Sequence, residues 1–298
     1  MSTKALLEGR GTKIIQIVLH EFGIYIGISM SIAPEINNKP KGRVLITGAS
    51  SGIGKSFAKV FAQQGYDLVL VARREDRLNQ LAEELKNSYD VISEVVALDL
   101  AKLSAPKKIY DHLRGKNIAV DILVNNAGYS LSKPFTSGSW KEHQDLLNVM
   151  VVSLTQLCHL FSKNMIENGY GRIINVASIA AFAPEFTGNL YNAAKSYVTH
   201  MSEALDLELK PHGVHCLALC PGLTSSEFHD VMGVRELLNN IPKWRWMDSD
   251  LVAKQGVAAV MNGKSLYING GANRALVQLF NIMPQRLKYF MSKNQIML

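Results

Sequence analysis

Seven short runs dense in Val, Ile and Leu, at 43–47, 67–72, 94–98, 121–125, 172–177, 213–220 and 264–269, alternate with segments of helical periodicity. Short apolar runs without strict alternation suit strands buried on both faces, and such strands separated by helices pair in parallel through crossovers. The pattern predicts an α/β fold, a doubly wound parallel sheet of about seven strands in three layers with helices on both faces. The 298 residues suffice for one such core with appendages. The divisions expected are an apolar N-terminal extension over 1–41, the sheet domain over 42–271 and an amphipathic tail over 272–298.

The first of the seven runs leads into Thr47-Gly48-Ala49-Ser50-Ser51-Gly52-Ile53-Gly54, and helical periodicity resumes from Lys55. A strand, a glycine turn and a helix start make an anion site, because free backbone N–H groups and the positive helix end converge on it. Gly48, Gly52 and Gly54 let the backbone approach a pyrophosphate without Cβ clashes. At the end of the next strand, where a dinucleotide fold meets the adenosine ribose, stand Arg73 and Arg74. A carboxylate there would accept from a free 2′-hydroxyl, whereas guanidinium groups pair with a 2′-phosphate, so NADP(H) is expected over NAD(H). The competing reading is a solvated helix start in which Glu75 and Asp76 suit the positive terminus.

Further along, Ser178 closes an apolar strand thirteen residues before Tyr191-Asn192-Ala193-Ala194-Lys195. In a helix, residues four apart share a face, so the phenol and the ammonium of this segment can interact. A free tyrosine has a pKa of about 10, and a fixed cation beside it would make it a usable proton donor and acceptor near neutral pH.

Together these segments resemble the short-chain dehydrogenase/reductase family, of the type with a TGxxxGxG turn and a YxxxK pair. The resemblance spans roughly residues 42 to 280 and is carried by Thr47 to Gly54, Asn125-Asn126-Ala127-Gly128, Asn175-Val176-Ala177-Ser178, Tyr191 to Lys195 and Pro221-Gly222-Leu223-Thr224. It implies a Rossmann-type fold and hydride transfer between a nicotinamide and a carbonyl or alcohol carbon. Ser178 would hold the substrate oxygen, Tyr191 exchange the proton, and Lys195 lower the tyrosine pKa and bind the nicotinamide ribose. Gly48, Ser50, Ser51, Gly52, Ile53 and Gly54 would cradle the phosphates, with Arg73 and Arg74 at the 2′-phosphate. Asp99 and Leu100 would lie at adenine, although a capping role also suits Asp99. Asn126, Ala127 and Gly128 would pass the ribose and nicotinamide, with Pro221, Gly222 and Thr224 at the carboxamide.

One position departs from that pattern. Met150 stands where the family carries an active-site asparagine on the long central helix, and a thioether cannot replace an amide in holding a proton-relay water. Asn148, two residues earlier, would be turned about 200° around an α-helix. A slower relay, another water route, or a non-catalytic NADP(H)-binding scaffold protein are the consequences open at this point.

The expected function is reduction of a lipophilic or acyl-chain ketone or aldehyde with NADPH; the same fold oxidising an alcohol is the alternative. Residues 224–247, with Phe228, Met232, Leu237, Leu238, Trp244 and Trp246, would form an apolar lid over the nicotinamide, or an ordinary oligomer or core surface. A homodimer or homotetramer is what the family implies. The net charge of +7 comes with no nucleic-acid module. Cys158, Cys216 and Cys220 include no pair able to bridge along one strand, which with the lack of a cleavable signal pattern points to a reducing, cytoplasmic location. No metal site is expected, since His212, His215 and Cys216 lack a partner cluster.

The ends are less determined. Residues 14–33 are largely apolar but include His20 and Glu21, and the alternation of Ile24, Ile26, Ile28, Met30 and Ile32 suits a strand or hairpin. A packed extension or oligomer arm, a peripheral membrane contact and a transmembrane span are the readings, in that order. The tail, with Leu276, Leu279, Phe280, Met283, Leu287, Phe290 and Met291 among basic residues, reads as an amphipathic helix or a helix pair broken near Pro284. It could cover a substrate site, pack on a partner subunit or rest on an anionic bilayer.

Overall fold

A computed structural model describes residues 42–131, 133, 135–184, 190–224 and 245–294, together with the backbone of three strands in 2–9, 12–19 and 24–31. The chain divides into two compact units, Met1–Lys39 and Pro40–Leu298. In the first unit β1 (Ser2–Gly9), β2 (Thr12–Leu19) and β3 (Ile24–Ser31) form an antiparallel sheet in that order, with Thr12 opposite Ser31 and a register shift between Ala5 and Glu8. The alternating residues from Ile24 to Met30 lie in β3. The span weighed for 14–33 meets strands there, not a helix.

The second unit is a seven-stranded parallel sheet built from β4 (Arg43–Thr47), β5 (Asp67–Ala72), β6 (Ser93–Ala97), β7 (Ile122–Asn125), β8 (Gly171–Val176), β9 (Val214–Cys220) and β10 (Leu266–Ile268). Their order across the sheet is β10-β9-β8-β7-β4-β5-β6. The winding reverses between β4 and β7, and ligands of open α/β sheets bind at such a switch point, beyond the carboxyl ends of the strands.

Both faces of the sheet are covered. One layer is α1 (Gly52–Gln63), α2 (Glu75–Tyr89) and α7 (Ser249–Met261), which bury Phe57, Phe61, Leu78, Leu81, Leu85, Val252 and Val260. The other is α3 (Ala105–Gly115), α5 (Leu154–Glu167) and α6 (Leu190–Leu209), which bury Ile109, Leu113, Leu157, Phe161 and Val198. Leu78, Leu81 and Leu85 recur at helical spacing on one face of α2, whose other positions are largely charged or polar. Phe57 and Phe61 have no exposed surface, and truncating either to Ala would cost about 3–5 kcal/mol.

The long central helix is not uniform. α4 (Trp140–Leu147) starts at a capping box in which the Ser139 hydroxyl accepts from the Glu142 N–H and the Glu142 carboxylate accepts from the Ser139 N–H. It runs through a π-helical segment, Asn148–Ser153, into α5. Within this segment the Asn148 amide donates to the Ala101 carbonyl at 3.0 Å and the Ser153 hydroxyl to the Leu100 carbonyl at 2.7 Å. Both bonds fasten the helix to the loop after β6. Trp140–Glu167 is apolar and long enough to cross a membrane by length and composition, and half of its most apolar window is buried inside this fold. The tail forms α8 (Gly271–Ile282) and α9 (Gln285–Lys293), separated at Met283 and Pro284.

Candidate active site

The end of β4 and the end of β7 are joined by side-chain hydrogen bonds at the switch point. The Thr47 hydroxyl accepts from the Asn126 and Ala127 N–H groups at 2.9 and 3.1 Å, and the Asn126 amide donates to the Thr47 carbonyl at 3.0 Å. The turn between them is tight. Gly48 and Gly52 have φ of 67° and 54°, left-handed values that favour glycine, and a Cβ on Gly54 would lie 2.2 Å from the Gly48 carbonyl oxygen. Thr47 was visible in the sequence only as part of a motif; its bridging role depends on a partner 79 residues away.

This turn fits a dinucleotide phosphate. Ser51 makes no side-chain cap on α1, and the first turn of α1 carries no acidic residue, so its N–H groups face no built-in anion. Arg74 extends from the end of β5 over the turn, its guanidinium donating to the Ser50 and Ser51 hydroxyls at 3.1 and 3.2 Å. Arg73 beside it is exposed. A cation thus stands over the turn, with the donor chemistry that pairs with a phosphate. Ile53 lines the same turn, half-buried against the core. Asp99 uses a carboxylate oxygen to accept from the Ala101 N–H at 3.0 Å, the capping alternative, and Leu100 is buried.

Ser178 begins the loop after β8, and its hydroxyl accepts from the Ala180 N–H at 3.1 Å. It also shares a hydrogen bond with the Tyr191 phenol. Lys195, one turn along α6, is buried, with its Nζ 5.5 Å from the Tyr191 ring centroid and donating to the Val176 carbonyl at 2.7 Å. Pro221 closes the other side, its carbonyl accepting from the Ile179 N–H at 3.0 Å. Thr224 bonds the Gly222 carbonyl and forms a parallel bridge with Met247. A Cβ on Gly222 would meet the Asn273 amide at 2.4 Å, so the start of α8 packs against this loop. Residues 225–244, the bulk of the proposed lid, lie outside the described residues.

The electrostatics differ from the expectation that Lys195 holds the tyrosine pKa low. Burial pushes the phenol up to about 12, opposed by its bond to Ser178. Burial likewise pushes Lys195 down to about 8. The ammonium is turned to the Val176 carbonyl and lies over the tyrosine ring. Cys220, at the end of β9, is pushed up to about 12 by burial and stays a neutral thiol behind the lysine.

Met150 occupies the position reached by counting back from Ser178. It is buried, and a methyl group placed on Gly128 would touch both Lys195 Nζ at 3.6 Å and Met150 Cγ at 3.7 Å. An apolar side chain and the ammonium thus both border Gly128. Asn148 is committed to Ala101. The π-helical turn, often found at functional sites, was not legible from periodicity.

A second set of residues escaped sequence reasoning. The Asn125 side-chain amide donates to the Asn175 Oδ1 at 2.9 Å, and the Asn175 side-chain amide donates to the Ser202 hydroxyl at 2.9 Å, with Cys158 Sγ 3.3 Å from Asn125 Nδ2. All four are buried. The chain of bonds fixes α6, which carries Tyr191 and Lys195, against β7 and β8. Only the spacing of Asn125 and Asn175 at the ends of two apolar runs could have signalled it. Cys158, Cys216 and Cys220 are free and buried. Among the described residues no three His, Cys, Asp or Glu side chains converge on a metal position.

Comparison with known proteins agrees with this fold. An uncharacterized oxidoreductase of Staphylococcus epidermidis is 32% identical over 182 residues, covering 61% of this chain and 77% of that protein. Among solved structures, a short-chain dehydrogenase from Sphingobium yanoikuyae in complex with NADPH is 32% identical, with a TM-score of 0.71 over 82% of this chain and 97% of that one. The bulky-bulky ketone specific alcohol dehydrogenase from Comamonas testosteroni is 28% identical, with a TM-score of 0.68 over 83% and 96%. The family model described as short chain dehydrogenase matches residues 42–234, a stretch running from the strand before the glycine turn past Lys195 and Thr224, and the chain belongs to that family.

Proposed function

We propose that the protein is an NADPH-dependent reductase of a lipophilic or acyl-chain ketone or aldehyde, with Ser178, Tyr191 and Lys195 as its catalytic residues. The observation that carries this reading is the gathering of these three side chains beyond β8, while Arg74 stands over the glycine turn at the end of β4. The cofactor is NADP(H), and bound there it supplies the hydride to the carbonyl carbon. Ser178 orients the carbonyl oxygen and Tyr191 gives it a proton as the negative charge develops. With its phenol pushed up by burial, Tyr191 remains protonated across the physiological range. Lys195 restores that proton or stabilises the phenolate, and the hydroxyl product leaves. Likeness to an enzyme for bulky ketones supports a bulky substrate. A homodimer or homotetramer in a reducing cytoplasm belongs to the same reading, supported by three free thiols.

The test is NADPH consumption against a panel of bulky ketones, aldehydes and acyl-linked ketones, with Tyr191→Phe beside the parent. Turnover that persists undiminished in the variant overturns the assignment. Met150, which borders Gly128 as Lys195 does, favours a second reading, an NADP(H)-binding protein without turnover. Tight NADPH binding with no consumption on any carbonyl would select it. The same fold running alcohol oxidation is distinguished by NADP⁺ reduction exceeding NADPH consumption on matched alcohol and ketone pairs.

A further inference from the structure

From Leu251 to Leu298 the sequence contains six Lys and Arg and no Asp or Glu. Within this stretch α8 and α9 expose large apolar side chains: Leu279 at 44%, Ile282 at 78%, Leu287 at 46%, Tyr289 at 70% and Phe290 at 54%. These are not the residues that hold the tail to the body. Val277 and Phe280 of α8 and Met291 of α9 are the buried ones.

The two sets stand on opposite sides of the helices. At roughly 100° per residue, Ala275, Leu279 and Ile282 project away from Val277 and Phe280. On α9, Arg286, Tyr289 and Lys293 project away from Met291 by the same arithmetic. α8 thus has an outward apolar stripe, and α9 an outward stripe in which an aromatic ring lies between two cations. Among the described residues, Arg286, Lys288 and Lys293 make no ion pair with a carboxylate.

We infer that α8 and α9 dock the protein on the surface of an anionic phospholipid bilayer. Apolar side chains beside Lys, Arg and Tyr, without acidic residues, are what an interfacial helix presents to head groups and the acyl boundary. Charge complementarity selects this occupant over a second copy. A two-fold contact of tail on tail would set Arg286, Lys288 and Lys293 against themselves with no carboxylate from the same segment to pair them. The inference is independent of the redox chemistry.

The test uses the full-length protein with vesicles of phosphatidylcholine alone and of phosphatidylcholine mixed with phosphatidylglycerol, read by co-sedimentation. Binding is expected on the mixed vesicles and is weakened by salt. The triple variant Arg286→Gln, Lys288→Gln, Lys293→Gln should lose affinity by a factor on the order of 100, since each basic residue near an anionic surface adds about fivefold. The double variant Leu279→Ser, Ile282→Ser should lose at least about tenfold through its apolar area. Leu279, Ile282, Arg286 and Lys293 face outward, Lys288 is half-buried about 60° around the helix from Met291, and unchanged NADPH binding checks that the variants fold. Equal partitioning onto both vesicle types, or variants that bind like the parent, would overturn the inference. So would a parent that ignores vesicles while either variant converts an oligomer into monomers, because the tail would then be a subunit contact.

Discussion

Lys195 Nζ donates to the main-chain carbonyl of Val176 at 2.7 Å, two residues before Ser178 on the same β8 exit. The helix carrying Tyr191 and Lys195 is thereby tied to the strand that leads into Ser178. The bond is made by an ammonium that burial disfavours, since Lys195 is pushed down to about 8 from 10.5. Between those values the unfolded chain binds more protons than the folded one, so this group makes stability rise with pH across that window. Tyr191, pushed up to about 12 from 10.0, has the opposite sign and lowers stability between those values. Melting temperatures of the cofactor-free parent and Lys195→Met, compared from about pH 7 to pH 10, should move in the parent's favour as pH rises. A difference that stays constant removes the buried-ammonium account.

Loss of the phenol oxygen should separate chemistry from binding. Tyr191→Phe leaves the ring over Lys195 but has no oxygen to bond Ser178 and no proton to give a substrate oxygen. Turnover should fall by a factor on the order of 100 or more, with NADPH affinity nearly unchanged. Fluorescence titration of the cofactor beside steady-state rates distinguishes the two effects.

On the proposed reading the cofactor preference originates at Arg74, whose guanidinium bonds the two turn serines at 3.1 and 3.2 Å. Replacing Arg73 and Arg74 together by neutral residues should weaken NADPH far more than NADH, by a factor on the order of 10 to 100 for the former. Equal weakening of the two cofactors would show that the arginines shape the turn and do not read the 2′-phosphate.

Thr47→Val keeps the side-chain volume but removes the acceptor shared by the Asn126 and Ala127 N–H groups. Leaving these half-buried donors unpaired costs up to about 1–3 kcal/mol. The variant should melt lower and bind NADPH more weakly, since the turn and the β7 exit lose their common anchor. Calorimetry with and without cofactor checks both.

The sheet was legible because each strand is a continuous apolar run between helical segments, so that Arg43–Thr47 or Val214–Cys220 could be placed to within a residue or so. The glycine turn and the Tyr191–Lys195 pair were legible because their chemistry depends on spacing within one short segment. Three things were not. The Thr47–Asn126 and Asn125–Asn175–Ser202 bonds join residues distant in sequence, and each member alone is an ordinary polar residue at a strand end or on a helix. The π-helical turn at Asn148–Ser153 replaces an α-helical one over a stretch whose composition, Asn-Val-Met-Val-Val-Ser, suits either. The direction of the tyrosine pKa shift comes from burial of the phenol, which depends on how distant segments close over it and leaves no mark in the spacing of Tyr191 and Lys195.

Met150 makes the sharpest test of how this site handles protons. Its side chain borders Gly128, as does Lys195 Nζ, and it is almost wholly buried. Met150→Asn exchanges a thioether for an amide able to donate and accept, at a cost of about 1–3 kcal/mol if the amide finds no partner in the free protein. If proton delivery to Lys195 limits the parent, the variant should melt lower yet turn over faster by several-fold, with KM for NADPH unchanged and a smaller solvent deuterium effect on kcat. Slower turnover with an unchanged isotope effect would mean that Met150 serves packing alone and that protons reach Lys195 by a route that does not pass this side chain.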